Sequence, residues 1–302
     1  MKDESLLFAR EIRREFPMFA EQDRPVIYLD NAATTQKPRA VIERLSRFYV
    51  SENSNIHRGA YPLARKADAA YENARECVRE WIGAGREDGI VFTKSSTEAM
   101  NLAANSLYPD LLREGDNILV TEMEHSSNFF PWQHICDRVG CEFRVAQTEP
   151  DGSLDPERLI QSMDGRTRLL AVTGMSNATG YIPDIEALIR EAHRRGVPVL
   201  VDASQLIAHK KIDVKKMDCD LLAFSGHKVY GPMGIGVLYG KKEIMEKMSP
   251  FLYGGDMVLP GDGGAFSFRE DPGKYEAGTQ NIAGALGLAA ALNWLKENDF
   301  SG

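Results

Sequence analysis

Residues 221–240 read LLAFSGHKVYGPMGIGVLYG, and the fold turns on how this stretch divides. An apolar run from Leu221 to Phe224 gives way to Ser225, Gly226, His227 and Lys228. A glycine-studded passage follows and leads into a second apolar run that closes at Gly240. Both runs read as buried strands. The lysine therefore stands at the mouth of a buried strand, between a Ser/His pair and a loop able to approach something closely. A surface lysine needs no such setting, whereas a lysine meant to be desolvated and held against a ligand does.

Working outward, strands and helices alternate from about residue 89. GIVFTK, NILVTE, CEFRVAQ, RLLAVTGM and VPVLVDAS read as strands. SSTEAMNLAANSLYPDLL, SNFFPWQHICDRVG, DPERLIQSM and PDIEALIREAHRRG read as the helices between them, with Asp155 as an N-cap and Pro156 at the first helical position. Strands of continuous Val, Ile and Leu separated by helices predict an α/β fold, a mostly parallel sheet with helices on both faces. Before it, PVIYLDNAATTQKP predicts a short strand running into a polar turn, and RAVIERLSRFYVSE and PLARKADAAYENARECVREWIG have helical spacing. Residues 1–20 form a charged, amphipathic N-terminal segment.

Composition narrows the class. The 302 residues are 43% hydrophobic and 26% charged, ordinary for a folded enzyme, and the net charge is -8. No Lys/Arg run supports a nucleic-acid or membrane-surface role, no apolar stretch is long enough to span a bilayer, and the N-terminus lacks a signal-peptide apolar region. Cys77, Cys136, Cys141 and Cys219 are too few and too scattered for a disulfide framework, so a reducing cytoplasm is expected.

In parallel sheets ligands sit beyond the carboxyl ends of the strands. Four strand ends carry polar groups. Ser96 and Thr97 open a helix, as phosphate ligands or as plain caps. His125 follows ILVTEME, either to cover a flat ligand or as a satisfied polar residue. Asn177 lies in SNATGYIP, a contact or a turn residue. Asp202 ends VPVLVD with Gln205 three residues on; it needs a positive partner if desolvated, or it is a helix-entry cap. Together with Lys228, these are the groups that pyridoxal phosphate (PLP) requires: an amine for its aldehyde, a carboxylate for its ring nitrogen, donors for its phenolic oxygen, a flat cover and hydroxyls for its phosphate.

Taken with these residues, YLDNAATTQKP, NIHRGAYPLA, VFTKSSTEAMNL, EMEHSSNFFPWQ, VDASQ, CDLLAFSGHKVYGPMGIGVLYG and YEAGTQN resemble, in order, the blocks of the fold-type I, class V PLP enzymes. The resemblance runs from about residue 10 onward and is closest to the SUF-type cysteine desulfurases and their selenocysteine lyase relatives. It implies the large domain of a PLP-transferase over residues 21–290, with 291–302 as the start of a connection to a C-terminal small domain that this chain is expected to lack. It implies that Lys228 binds the cofactor covalently and shuttles protons, Asp202 pairs with the ring nitrogen, and Gln205 and Asn177 meet the phenolic oxygen. His125 would stack on the ring and serve in acid–base steps, while Ser96, Thr97, Ser225 and His227 would bind the phosphate. Thr279 resembles the residue that reaches the partner subunit's phosphate, which implies a homodimer; His57 and Arg58 would lie near the substrate at the mouth.

The implied reaction turns L-cysteine into L-alanine and passes sulfur on as a persulfide to an acceptor protein for iron–sulfur cluster assembly. The alternatives within the class are a selenocysteine lyase acting on L-selenocysteine and another class V aminotransferase-like enzyme. The nucleophilic cysteine of such enzymes lies in the small domain, and none of the four cysteines here reads as its substitute. The chain alone is therefore expected to hold PLP without turning over cysteine. If the short chain is the natural product, a non-catalytic PLP-binding or assembly protein is the reading from another class.

Overall fold

The computed structural model describes residues 2–20, 26–260 and 265–298. The chain divides into two compact units. One comprises residues 1–78, 226–235 and 281–302; the other comprises residues 79–225 and 236–280.

The first unit opens with helices α1 (Lys2–Arg14), α2 (Pro17–Ala20), α3 (Arg39–Arg47) and α4 (Pro62–Trp81), the last of which starts in it. The helices expected over 39–52 and 62–83 are thus present, the former ending in a wide turn at Phe48–Glu52. The strand expected in PVIYLD is not. Residues 26–30 have no regular structure, and the side chains of Ile27 and Leu29 are exposed. A strand requires a neighbour to take its N–H and C=O groups, and the described residues of this unit include no strand to provide one. Residue 25 of that segment lies outside the described residues.

The second unit is a sheet with its helices. In chain order it runs β1 (Gly89–Thr93), α5 (Ser96–Leu111), β2 (Asn117–Thr121), α6 (Phe130–Val139), β3 (Glu142–Ala146) and α7 (Pro156–Gln161). It continues with β4 (Thr167–Thr173), α8 (Ile185–Arg194), β5 (Val199–Asp202), α9 (Val214–Met217) and β6 (Leu221–Ser225). Then follow β7 (Gly236–Gly240), α10 (Lys242–Met245) and the small hairpin of β8 (Val258–Pro260) and β9 (Phe266–Phe268). Every strand expected from residue 89 to 240 is found. The β8–β9 pair was not foreseen, since its three-residue strands are too short to show a period.

The seven-stranded sheet has the order β1-β7-β6-β5-β4-β2-β3. Its β2, β3, β4, β5 and β6 are parallel, while β7 runs antiparallel to both β6 and β1. Since β7 opposes both, β1 and β6 run the same way. The carboxyl ends of β1, β2, β4, β5 and β6 therefore share one edge of the sheet.

Burial explains why these segments are strands. Ile118, Val120, Leu169, Ala171, Leu200, Leu221, Ala223 and Leu238 pack against Met100, Ala103 and Leu107 of α5 and Trp132 and Ile135 of α6. The alternate residues Leu119, Leu170, Val172, Val201, Leu222 and Phe224 are equally buried, so both faces are covered. Each buried Val, Leu, Ile, Phe or Met side chain contributes about 1.5–3 kcal/mol. The helices begin where their caps allow: Asp155 Oδ1 accepts from Glu157 N at 2.9 Å ahead of Pro156, and Asp184 Oδ1 accepts from Ala187 N at 3.0 Å. At the sheet edge, the buried Phe92 N–H of β1 donates to Glu276 Oε1 at 2.7 Å.

The first unit closes with α11 (Ile282–Glu297), whose N-cap Asn281 Oδ1 accepts from Gly284 N at 2.9 Å. Trp294 of α11 meets Phe16 edge-on at 5.4 Å and Tyr230 at 5.6 Å, fixing the 226–235 segment within this unit. Residues 299–302, the tail of the expected connecting segment, lie outside the described residues. No helix among the described residues is long and apolar enough to cross a membrane.

Candidate active site

On the sheet unit, the polar residues singled out above fall where the topology places strand ends. Ser95 caps α5, its Oγ accepting from Glu98 N at 3.4 Å, so Ser96 and Thr97 begin the helix just beyond β1. Ser96 N donates to Ser225 Oγ at 2.8 Å, and Ser225 Oγ donates to Ser96 Oγ at 2.9 Å. Thr97 Oγ1 lies 2.7 Å from Ser127 Oγ, which in turn lies 3.0 Å from His125 Nδ1. Five residues from the ends of β1, β2 and β6 thus form two linked hydroxyl groups at the amino end of α5.

The backbone permits this array because Gly236 has no side chain. A Cβ there would stand 2.5 Å from the carbonyl carbon of Ser95, so only glycine lets β7 pass the cap of α5. Helix amino ends with free N–H groups and hydroxyls suit anions, because the helix dipole adds to the donors.

His125 is exposed, and its Nδ1 accepts from Ser127 N at 3.2 Å. One ring nitrogen is thereby committed to its own turn, and the ring is held at a fixed angle. Asp202 ends β5 at 4% exposure; its Oδ1 accepts from Ser204 N at 2.9 Å, and its carbonyl accepts from Gly174 N at 2.8 Å. Ser204 Oγ beside it is buried with no hydrogen-bond partner among the described residues. Gln205 is buried at the start of the turn Leu206–Ala208. Asn177 sits exposed on a turn that Ser176 closes, its Oγ accepting from Ala178 N at 3.3 Å and Thr179 N at 3.2 Å. Thr279 is exposed.

The other unit carries Lys228, His227, His57 and Arg58. Gly226–Lys228 form one 3-10 turn directly after β6, and Lys228 is half-buried. The His227 carbonyl accepts from Thr35 N at 3.1 Å, Thr35 Oγ1 at 3.0 Å, Thr34 Oγ1 at 3.2 Å and Lys37 Nζ at 2.9 Å. Tyr230 N donates to Thr35 Oγ1 at 3.0 Å. The segment TTQK is therefore the mould in which the lysine turn sets. Burial pushes Lys37 down to about 8. Burial, then the Lys228 and Lys37 charges, also lowers His227, so its imidazole is neutral at pH 7. His227 Nδ1 is buried and without a hydrogen-bond partner among the described residues. A buried polar atom left unmet in this way is one that a ligand can satisfy. His57 has a left-handed backbone, φ 68°; its N–H donates to Asp68 Oδ1 at 2.5 Å, and Arg58 beside it is exposed.

PLP presents an anionic phosphate, a ring nitrogen and a phenolic oxygen, and the donor set fits it. On the sheet unit, the hydroxyl array and the orphaned Ser204 Oγ are groups that such a molecule would satisfy; on the other unit, His227 Nδ1 is a separate buried atom left unmet. Burial raises the thiols of Cys136, Cys141 and Cys219, while Cys77 Sγ is engaged with Ala289 O at 3.7 Å. Sequence reading passed over three residues. Ser127 joins Thr97 to His125, Lys37 braces the lysine turn, and Glu124 accepts from Thr121, Asn128 and Thr173. For Glu124 the only signal was its place just past a strand end.

An α/β sheet with polar groups along its carboxyl edge is common to a broad class of enzymes, and comparison makes the class specific. The chain belongs to the class V aminotransferase family, whose profile matches residues 27–302; its members are PLP enzymes. Among curated relatives, a cysteine desulfurase of Synechococcus elongatus is 43% identical over 289 residues, 95% of this chain. One from Pectobacterium atrosepticum is 43% identical over 287 residues, 94% of this chain. The chain spans 46% of the length of the first and 70% of the second. The crystal structure of the cysteine desulfurase CsdA from Escherichia coli superposes with a TM-score of 0.88 at 40% identity, covering 97% of this chain and 72% of that one. The apo cysteine desulfurase from Thermococcus onnurineus gives 0.90 at 36% identity, covering 96% of this chain and 71% of that one.

Proposed function

We propose that this chain carries the cofactor-binding part of a PLP-dependent cysteine desulfurase. Such an enzyme takes sulfur from L-cysteine, leaves L-alanine, and hands the sulfur as a persulfide to an acceptor protein that serves iron–sulfur cluster assembly in the cytoplasm. The observation that carries the reading is the array on the sheet edge, Ser225 to Ser96 and Thr97 through Ser127 to His125, with Asp202 at the end of β5.

When bound, PLP supplies an electron sink for bonds at the substrate's α-carbon. The chain's own residues do the rest. The Lys228 amine holds the cofactor's aldehyde covalently and carries protons at the α-carbon. The Asp202 carboxylate holds the ring N–H, and Gln205 and Asn177 meet the phenolic oxygen. His125 covers the ring and exchanges protons through Nε2, the nitrogen its own turn does not use. Ser96, Thr97, Ser225 and His227 hold the phosphate. Thr279 reaches the phosphate in a partner subunit, so the working form is a homodimer, and His57 and Arg58 meet the substrate.

Borohydride reduction of the PLP-loaded protein, followed by peptide mass mapping, tests this reading. A pyridoxyl adduct on the peptide containing Lys228, lost in Lys228→Ala, is the expected result. A folded, PLP-treated protein without that adduct would overturn it. Addition of L-cysteine should then change the visible spectrum of the loaded protein.

A further inference from the structure

Glu124 stands one residue before His125, and nothing in the proposed chemistry uses it. Its carboxyl is nevertheless committed on every side. Oε1 accepts from Thr121 Oγ1 at 2.6 Å and from Thr173 N at 2.9 Å, while Oε2 accepts from Asn128 Nδ2 at 2.7 Å. Thr121 ends β2, Thr173 ends β4, and Asn128 ends the turn that His125 begins. Thr173 is in register with Asp202 of β5, and the next residue, Gly174, donates its N–H to the Asp202 carbonyl at 2.8 Å.

We infer that Glu124 is a positioning residue for the cofactor: its carboxyl ties the His125 turn to the ends of β2 and β4 and so fixes His125 relative to Asp202. The inference rests on the PLP reading above. A ligand held between a flat side chain and a carboxylate tolerates little error in their separation, and preorganisation of this kind depends on residues that touch neither ligand nor substrate.

The geometry also explains the choice of glutamate. Asn128 cannot turn its amide around, because its Oδ1 already accepts from the buried Trp132 Nε1 at 3.0 Å. The carboxyl thus meets two fixed N–H donors, Asn128 Nδ2 on one oxygen and Thr173 N on the other. A glutamine would set its own NH2 against one of them. A protonated carboxyl meets all three partners, with its O–H directed to Thr121 Oγ1 and both oxygens still accepting. Burial, opposed by the three hydrogen bonds and reinforced by the Asp202 charge, pushes Glu124 up to about 8, which favours that protonated form at neutral pH. No net charge then competes with Asp202 for the ring nitrogen's proton.

The test uses the full chain and PLP itself. The affinity for PLP is read by absorbance titration, and the geometry is read from the circular dichroism that the protein induces in the cofactor band, a signal that overall stability does not set. Glu124→Gln and Glu124→Ala are expected to bind PLP about tenfold more weakly, the cost of stranding a buried donor, and to lose most of the induced signal. Glu122→Gln, at an exposed residue of the same segment bonded to Thr148, should match the wild type in both. If Glu124→Ala fails to fold, Glu124→Gln carries the comparison alone. Variants with wild-type affinity and an unchanged induced signal would overturn the role of Glu124 and leave the cofactor reading intact. A wild-type protein that takes up no PLP at Lys228 would instead sink that underlying reading.

Discussion

The backbone N–H of Ser96 and the hydroxyl of Ser225 are 2.8 Å apart, although 129 residues separate them in sequence. That bond joins the first residue of α5 to the last residue of β6, and the two hydroxyls meet again at 2.9 Å. Neither residue is a passive filler. Each presents an oxygen at the amino end of a helix, where an anion gains from both the donors and the dipole.

Ser225→Ala leaves the Ser96 N–H without its partner. A buried donor stranded in this way costs about 1–3 kcal/mol. We expect a lower melting temperature in the absence of PLP and weaker PLP binding, measured by thermal denaturation and absorbance titration. A variant that matches the wild type in both would show that the clamp is dispensable.

Gly236→Ala drives a methyl group to within 2.5 Å of the Ser95 carbonyl carbon and 2.6 Å of its Cα. The three nearest atoms all belong to the Ser95 backbone, which cannot give way cheaply. The expected loss is about 1–3 kcal/mol, the usual cost of overpacking, together with a displaced α5 amino end. Gly165→Ala is the matched control: nothing lies within 4 Å of the added carbon, and the change should stay within about 0.5 kcal/mol. Denaturant unfolding of the two variants separates them.

Two partly buried groups give stability a pH dependence of opposite sign. Glu124 is raised to about 8, so the folded state holds a proton that the unfolded chain releases near the ordinary carboxyl range. Its contribution is complete at low pH and is lost as pH rises towards 8. Lys37 is lowered to about 8, so the folded chain gives up a proton that the unfolded chain keeps until about 10.5. That burden on folding is relieved as pH rises above 8. Melting temperatures of the cofactor-free protein should therefore fall between pH 5.5 and 8. Glu124→Gln should flatten that limb, whereas Lys37→Met should flatten the one above pH 8. An unchanged lower limb in Glu124→Gln would show that other groups set it.

Cys136 and Cys219 are fully buried, and burial raises both thiols. Only a thiolate reacts with an alkylating agent. Treatment of the native protein with iodoacetamide at neutral pH should therefore leave both unlabelled by mass spectrometry until denaturant is added. Rapid native labelling at either would contradict the packing of α6 or of the segment leading into β6.

Much of this architecture was legible because burial leaves a compositional trace. VPVLVD and DLLAFS can be read as strands without coordinates, since a strand covered on both faces must be apolar throughout. Their terminal Asp202 and Ser225 stand out as the first polar groups beyond. Direction leaves no such trace. Nothing in GVLYG distinguishes an antiparallel insertion from a sixth parallel strand, because both bury the same side chains. PVIYLD misled for the converse reason: its short apolar run is that of a strand, but a strand exists only if another lies beside it. Glu124 was hidden because its partners, Thr121, Asn128 and Thr173, are brought together by the sheet and turn rather than by any local spacing.

The place of β7 also has a consequence for how the protein is made. Among the described residues β1 pairs in the sheet only with β7, and β7 is the last of the seven strands to leave the ribosome. The first strand synthesised is therefore the last to find its partner, and it waits while five others assemble. Until Gly236–Gly240 emerges, the apolar strand Gly89–Thr93 remains an open ladder, a target for chaperones and for wrong partners alike. A nascent chain stalled before that point should be aggregation-prone in a way that one stalled shortly after it is not.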